Sequence, residues 1–335
     1  MPRYDEFDVE SYDRPRRHTR PRTKERPAHD DAVDGRVITV DRGRYTTLVD
    51  GRTVTAMKSR PLGRKGVVVG DEVRLVGDVS GDEGSLARIV AVDERRTVLR
   101  RTADDDDPVE RVIVANADQL VVVAALADPE PRPRLIDRAL VAAYDAGLAP
   151  LLCMTKADLA DPETLIATYR PLGVPYVVIT RGEGLTEVRA RLHGKVSVLV
   201  GHSGVGKSTL VNALVPGSDR AIGHVNAVTG RGRHTSTSVL MLPLPPRAGE
   251  DGTGGWIVDT PGIRSFGLAH VRPGQLIGAF PDLEELTDSC PRGCTHGADE
   301  PECGLDEAVA DGRTDAERVG SFRRLLASRE ASDDF

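Results

Sequence analysis

The stretch VSVLVGHSGVGKSTLVNAL, Val196 to Leu214, decides the fold. An apolar run leads into a glycine-rich turn, and a segment of helical spacing follows. The eight residues Gly201, His202, Ser203, Gly204, Val205, Gly206, Lys207 and Ser208 fit G-x-x-x-x-G-K-[ST], placed between a strand and a helix as that motif requires. Its glycines permit a tight loop whose backbone N–H groups surround a β-phosphate, and the N-terminus of the helix beginning near Ser208 and Thr209 adds a favourable dipole. Lys207 then places a point charge between the β- and γ-phosphates, and the Ser208 hydroxyl ligates Mg²⁺.

A site that hydrolyses a nucleoside triphosphate needs a further carboxylate beside magnesium and a sensor for the γ-phosphate. WIVDTPG, residues 256–262, supplies Asp259 at the end of an apolar strand, with the backbone N–H of Gly262 as sensor. Between this segment and the phosphate loop lies GRGRHTSTSV, residues 230–239, a polar loop suited to becoming ordered around a γ-phosphate and Mg²⁺. Thr235 is the first choice of metal ligand there and Thr237 the alternative.

The base is read from MTKAD, residues 154–158. It matches the N-K-x-D guanine motif, with Asp158 accepting from N1 and N2 of the base and the Lys156 stem covering the ring. Thr155 replaces the usual Asn and can supply part of its hydrogen bonding. The later strand end VVITRGEGL offers Thr180 and Arg181 backbone N–H groups for guanine O6. A lone TKAD is a common surface turn; its place at the mouth of a sheet with a phosphate loop gives it meaning.

Around these motifs, Val/Leu-rich runs alternate with amphipathic segments from residue 111 to residue 214, predicting a parallel sheet covered on both faces. Upstream, GRVITVDRGRYTTLVDGRTVTAMKS and the short alternating stretches after it predict a small antiparallel barrel, an OB-like fold of about 65 residues. Its Arg42, Arg44, Lys58, Arg60, Arg64 and Lys65 suit an RNA-facing surface, although such barrels also serve as spacers. Arg14 to Arg26 carries seven Lys/Arg against the single acid Glu25, which predicts a disordered arm, either solvated or touching RNA. The acidic run ADDDDP, residues 103–108, reads as a linker.

The whole chain of 335 residues, 39% hydrophobic, suits two or three domains, and its net charge of −7 argues against a wholly basic nucleic-acid coat. Without an apolar run of about 18 residues or a secretory signal, the chain is expected to be cytoplasmic, with no membrane partner. Three of the 4 cysteines fall in CPRGCTHGADEPEC. Cys290, Cys294, His296 and Cys303 there suit one tetrahedral, structural Zn²⁺, the alternative being three free thiols beside a chance histidine.

The motif order is unusual. Asp158 and Thr180 precede Gly201, and Asp259 comes last, so the sheet is that of a GTPase cut between its two halves and rejoined. This permuted order, together with DTPGIRSFGL, GHSGVGKSTL, the barrel before them and the Cys/His cluster after them, resembles the ribosome small-subunit-dependent GTPase family, RsgA/YjeQ. The likeness runs from about Gly35 to the C-terminal helices, and His202 stands where Gln is frequent in the family.

The resemblance implies a cytoplasmic bacterial factor that uses GTP, yields GDP, and binds the 30S ribosomal subunit and its 16S rRNA late in maturation. It also implies hydrolysis stimulated by that subunit, followed by departure of the factor, which is expected to be a monomer. The corresponding domains are a basic arm (1–34), an OB-like barrel (35–102), a circularly permuted P-loop GTPase domain of α/β class (110–272) and a small helical zinc-binding domain (273–335). Ile263 stands where Ras-like enzymes carry a water-orienting Gln, so intrinsic turnover is expected to be slow. His234 is the candidate to orient water instead, with Lys207 stabilising the transition state and Thr235 completing the catalytic set; the alternative is that His234 only packs or caps its loop. Rival readings are a permuted GTPase with a non-ribosomal client, and an RNA-binding module whose nucleotide only stabilises the fold.

Overall fold

The computed structural model describes residues 29–63, 66–102, 110–217, 239–260, 266, 268 and 270–329. The chain divides into Met1–Asp31 and Ala32–Phe335, and the architecture that follows is that of the second unit. Residues 1–28 of the expected basic arm, the acidic run, Arg64 and Lys65 lie outside the described residues.

Five strands, β1 (Val33–Asp41), β2 (Arg44–Val49), β3 (Arg52–Lys58), β4 (Glu72–Gly77) and β5 (Ala87–Val92), pair in the order 1-2-3-5-4 and close through β1 and β4. That closed order is the OB-like barrel. Its first two hairpins turn on Arg42-Gly43 and Asp50-Gly51, all four residues at positive φ, the geometry that matches the right-handed twist of the flanking strands. Val37, Val54, Leu75 and Ile89 fill the interior. Outside the barrel, β6 (Val98–Thr102) pairs with β7 (Glu110–Ala115) as a separate ribbon. Alternation alone groups Val98–Thr102 with the barrel text, but the β1–β4 closure leaves that segment no barrel edge to join.

The α/β part alternates strictly: β8 (Gln119–Ala125), α1 (Pro133–Asp145), β9 (Ala149–Thr155), α2 (Glu163–Tyr169), β10 (Tyr176–Val178), α3 (Leu185–Leu192), β11 (Val196–Val200) and α4 (Lys207–Leu214). The strands β12 (Leu240–Pro243) and β13 (Trp256–Asp259) complete it. Sheet order is β10-β9-β8-β11-β13-β12, parallel except for β12. Every residue of β8 and β11 is buried, which is why both read as apolar runs rather than alternations, broken only by Gln119 and Ser197. The sheet does not stop at β12: β1 of the barrel pairs with it, making one sheet of 11 strands.

Among the described residues four helices follow, α5 (Pro273–Ile277), α6 (Pro281–Glu284), α7 (Gly304–Ala310) and α8 (Ala316–Ser328). They dock on α1 through an aromatic stack in which Phe280 meets Tyr144 and Phe322 edge-on, with centroids 5.0 and 5.5 Å apart. Around that stack, Arg324 of α8 donates to buried Asp137 of α1 at 3.1 Å. Arg138 of α1 donates to the carbonyls of Phe266 (2.5 Å) and Ser328 (3.2 Å). Burial lifts the Asp137 carboxyl above its ordinary range, and the guanidinium of Arg324 opposes that lift. No helix among the described residues is long and apolar enough to cross a membrane.

One glycine holds the barrel against the β6–β7 ribbon. Gly70 has φ +89°, donates to the Val37 carbonyl (2.8 Å), and accepts from Asn116 Nδ2 (3.0 Å). A Cβ there would stand 2.0 Å from the Ala115 carbonyl oxygen. Gly70→Ala is therefore expected to lower stability by about 2 kcal/mol or more, combining a disfavoured φ with a backbone clash. Urea unfolding checks it, and an unchanged midpoint would contradict the assignment.

Candidate functional site

The site begins with the pairing of β8 and β11, in register from Gln119↔Ser197 to Val122↔Val200. Strand β9 lies on the other side of β8, so the C-terminal ends of β9 and β11 open on the same edge of the sheet. Ligands of open α/β sheets bind at that edge. The phosphate loop leaves β11 at Gly201, where φ is +153° and a Cβ would come within 2.3 Å of the Val123 carbonyl oxygen of β8. Only glycine lets the loop pass the neighbouring strand so closely. Val205 is buried beneath the loop, while Ser203, Gly204, Ser208 and Thr209 are exposed on it and on the first turn of α4. His202 Nδ1 contacts the Ser203 carbonyl at 2.9 Å. Lys207 Nζ turns back onto the loop, donating to the carbonyls of Gly201 (2.5 Å) and His202 (3.3 Å).

Thr155 ends β9, and its buried Oγ1 donates to the Val205 carbonyl at 2.7 Å. The hydroxyl ties the TKAD turn to the glycine-rich loop. Lys156 follows in the left-handed region, φ 59°, with its Nζ donating to the Asp128 carbonyl. Asp158 is exposed in the turn closed by Leu159 N–H to the Lys156 carbonyl (2.9 Å). The Ala157 N–H bonds the Ile179 carbonyl (3.2 Å), which brings Thr180 and Arg181 alongside. The Thr180 hydroxyl donates to Glu183 at 3.4 Å, and Arg181 is exposed.

Asp259 ends β13, beside Leu199 of β11. Burial raises its carboxyl, and the Lys207 ammonium pulls in the opposite direction. A half-buried carboxylate opposed by the Lys207 charge, and the exposed hydroxyl of the following residue, Ser208, are hard oxygens of the kind that suit Mg²⁺, and Ser208 and Asp259 are the described residues that would hold it. Thr260, absent from the sequence reading although it lies inside DTPG, locks this strand end by donating to the Leu199 carbonyl (2.7 Å). His234, Thr235, Thr237, Gly262 and Ile263 lie outside the described residues.

The second cluster gathers Cys290, Cys294, His296 and Cys303, whose ligand atoms all lie within 4.8 Å of one another. His296 Nδ1 stands 3.6, 3.5 and 3.9 Å from the Sγ atoms of Cys290, Cys294 and Cys303. Tetrahedral zinc with bonds of about 2.3 Å to sulfur and about 2.0 Å to nitrogen needs S···N edges of about 3.6 Å, so the donor set fits. Burial pushes the Cys294 thiol up to about 11, raises Cys290 and lowers His296. Neutral imidazole is the ligating form, whereas the thiols need a cation to hold them as thiolates. Backbone N–H groups of Gly304 and His296 point at Cys290 and Cys294 (3.2 and 3.4 Å). Arg323 bonds the His296 carbonyl (3.1 Å) while forking onto Asp306, an outer support with no local signature in the sequence.

Two outcomes follow from this geometry. Thr155→Val keeps the shape of the side chain but removes the donor to Val205, so guanine nucleotide affinity should fall about 5- to 30-fold, equivalent to about 1–2 kcal/mol. Titration calorimetry with GDP checks it, and unaltered affinity would separate the two motifs. Cys303→Ser should abolish stoichiometric zinc and melt α7 and α8 first; full zinc by elemental analysis of the variant would remove Cys303 from the ligand set.

Comparison with known proteins agrees with this architecture. Residues 92–269 match the RsgA GTPase family. The protein named small ribosomal subunit biogenesis GTPase RsgA of Ectopseudomonas mendocina is 44% identical over 230 residues, 66% of this chain and 64% of that one. The chain thus spans slightly under two thirds of that relative's length. The protein of the same name from Pseudomonas aeruginosa strain LESB58 is 41% identical over 263 residues, 76% of this chain and 74% of its own. Among solved structures, YjeQ from Thermotoga maritima covers 90% of this chain and 99% of its own at 26% identity, with a TM-score of 0.65. YloQ, described as a circularly permuted GTPase, shares the fold at 24% identity and a TM-score of 0.63, covering 91% and 98%. With a phosphate loop and a TKAD turn meeting at one sheet edge, between an OB-like barrel and a Cys₃His cluster, this chain belongs to the RsgA GTPase family.

Proposed function

We propose that the protein is a cytoplasmic, monomeric GTPase of small ribosomal subunit biogenesis, whose GTP hydrolysis is stimulated by the 30S subunit and coupled to its own release. The observation that carries this reading is the Thr155–Val205 hydrogen bond, which joins base-reading and phosphate-binding motifs from distant parts of the chain into one nucleotide site. The names borne by the Ectopseudomonas and Pseudomonas relatives support the ribosomal client.

In this reading Gly201 to Thr209 hold the phosphates, and Thr155, Lys156, Asp158, Thr180 and Arg181 hold the guanine. Ser208, Thr235 and Asp259 serve magnesium, which neutralises charge on the phosphates, and the Gly262 N–H senses the γ-phosphate. Lys207 leaves the carbonyls of Gly201 and His202 for phosphate oxygens and stabilises the charge that develops in the transition state. Ile263 offers no group to orient water, so His234 takes that task only once the subunit fixes its loop. The barrel (35–102) and the zinc-holding helices (273–335) meet 16S rRNA on either side of the GTPase domain (110–272). With the chain's charge at −7, RNA contact depends on local patches: Arg44, Arg52, Arg74 and Arg88 are all exposed on barrel strands.

GTP turnover by the purified chain, alone and with equimolar 30S subunits, 50S subunits or 70S ribosomes, tests the proposal. A large rise specific to 30S, lost in His234→Ala while GTP binding persists, is the expected result. Equal turnover in all four mixtures would move the protein to a non-ribosomal client, and 30S stimulation that survives in His234→Ala would reject that residue's role.

A further inference from the structure

The barrel and the nucleotide site share a hydrogen-bonded row of the sheet. Leu199 of β11 is in register with Asp259 of β13, Asp259 with Leu240 of β12, Leu240 with Thr39 of β1, and Thr39 with Thr46 of β2. The row therefore begins on the strand that carries the phosphate loop, passes through the carboxylate assigned to magnesium, and ends inside the barrel. At its crossing point Thr39 is 3% exposed, and its hydroxyl donates to the Val239 carbonyl at 3.3 Å. Val239 is the last residue of the segment GRGRHTSTSV that contains Thr235.

The barrel strand is shaped for this contact. The pairing of β1 with β2 slips between Val37 and Thr39, leaving Ile38 as an extra residue. Such a bulge re-aims side chains and bends its strand. Val37 points into the barrel core and Ile38 packs against the core of the α/β part, while Val40 touches both. One strand is thus a stave of the barrel and the last strand of the nucleotide-binding sheet, a placement an independently hinged barrel does not need.

From this we infer that Thr39 is a positioning residue that couples the barrel to the nucleotide: its hydroxyl and its bridge to Leu240 transmit the state of the Asp259 end of the row to β1 and β2. The inference rests on the GTPase reading above, but not on the ribosomal client. Packed strands shift between discrete arrangements rather than deforming continuously, so a changed contact at Asp259 is passed along a ladder of this kind. By reciprocity, whatever binds the barrel then alters the preference for GTP over GDP by the same factor.

Amide hydrogen exchange of the full chain reads the coupling without any ribosome. Exchange across residues 33–58 is compared with Mg²⁺ and GDP, and with Mg²⁺ and a non-hydrolysable GTP analogue, nucleotide binding being measured in the same samples. The expected result is exchange about fivefold slower or more with the analogue, a difference abolished in Thr39→Val and kept in Thr39→Ser. Equal exchange with the two nucleotides in the unaltered chain, or a full difference in Thr39→Val, overturns the inference. The unaltered chain alone suffices should Thr39→Val fail to fold. Loss of 30S stimulation in the turnover experiment would sink the client reading and leave this result standing; failure to bind either nucleotide would sink both.

Discussion

The parallel pairing of β8 with β11 is the contact on which the rest of the molecule depends. It joins the strand that opens the α/β part to the strand that carries the phosphate loop, residues nearly eighty positions apart at Gln119 and Ser197. Through it, Thr155 comes within 2.7 Å of the Val205 carbonyl, and the TKAD turn and the glycine-rich loop become one surface. Permutation changes which loops are covalent, not which strands are neighbours. The nucleotide site survives because it is a property of adjacency in the sheet.

The same permutation places both ends of the GTPase part against other elements. At the barrel end, β1 meets β12 at Thr39 and Leu240 and so occupies part of the sheet edge. At the other end, the segment after β13 runs directly into the helices that dock on α1. Arg138, buried in α1, bonds the carbonyls of Phe266 and Ser328 and so holds the segment after DTPG and the last helix together. Two carbonyl acceptors on a fixed guanidinium fork specify geometry more than they add stability. The Cys₃His cluster performs a related service further along, gathering a loop too short and polar to form its own core.

Much of this is legible in the sequence, for identifiable reasons. A phosphate loop is a local object, and so are TKAD, DTPG and the Cys/His spacing: each requires particular residue types within a short stretch, Cys290 to Cys303 at the longest. The buried strands β8 and β11 are legible because burial on both faces leaves a predominantly apolar run without strict alternation. The barrel is legible as alternation punctuated by Arg42-Gly43 and Asp50-Gly51. What is not legible is long-range pairing. Nothing around Thr39 or Leu240 announces that they face one another across two hundred residues, and nothing in Val98–Thr102 says that it leaves the barrel for β7. Thr155 shows both sides: its departure from Asn is visible in the sequence, but its compensating bond to Val205 exists only in three dimensions.

The central claim is that Asp158 and the phosphate loop, far apart in the chain, read one guanine nucleotide. The most direct measurement is the relative affinity of the unaltered chain and of Asp158→Asn for GDP and for xanthosine diphosphate, by titration calorimetry. Xanthine replaces the 2-amino donor of guanine with a carbonyl acceptor, so a carboxylate at 158 should favour GDP and an amide should favour the xanthosine nucleotide. A reversal of preference of about tenfold or more is the expected result, in line with one matched against one unpaired polar contact. An unchanged preference for GDP in Asp158→Asn would contradict the account.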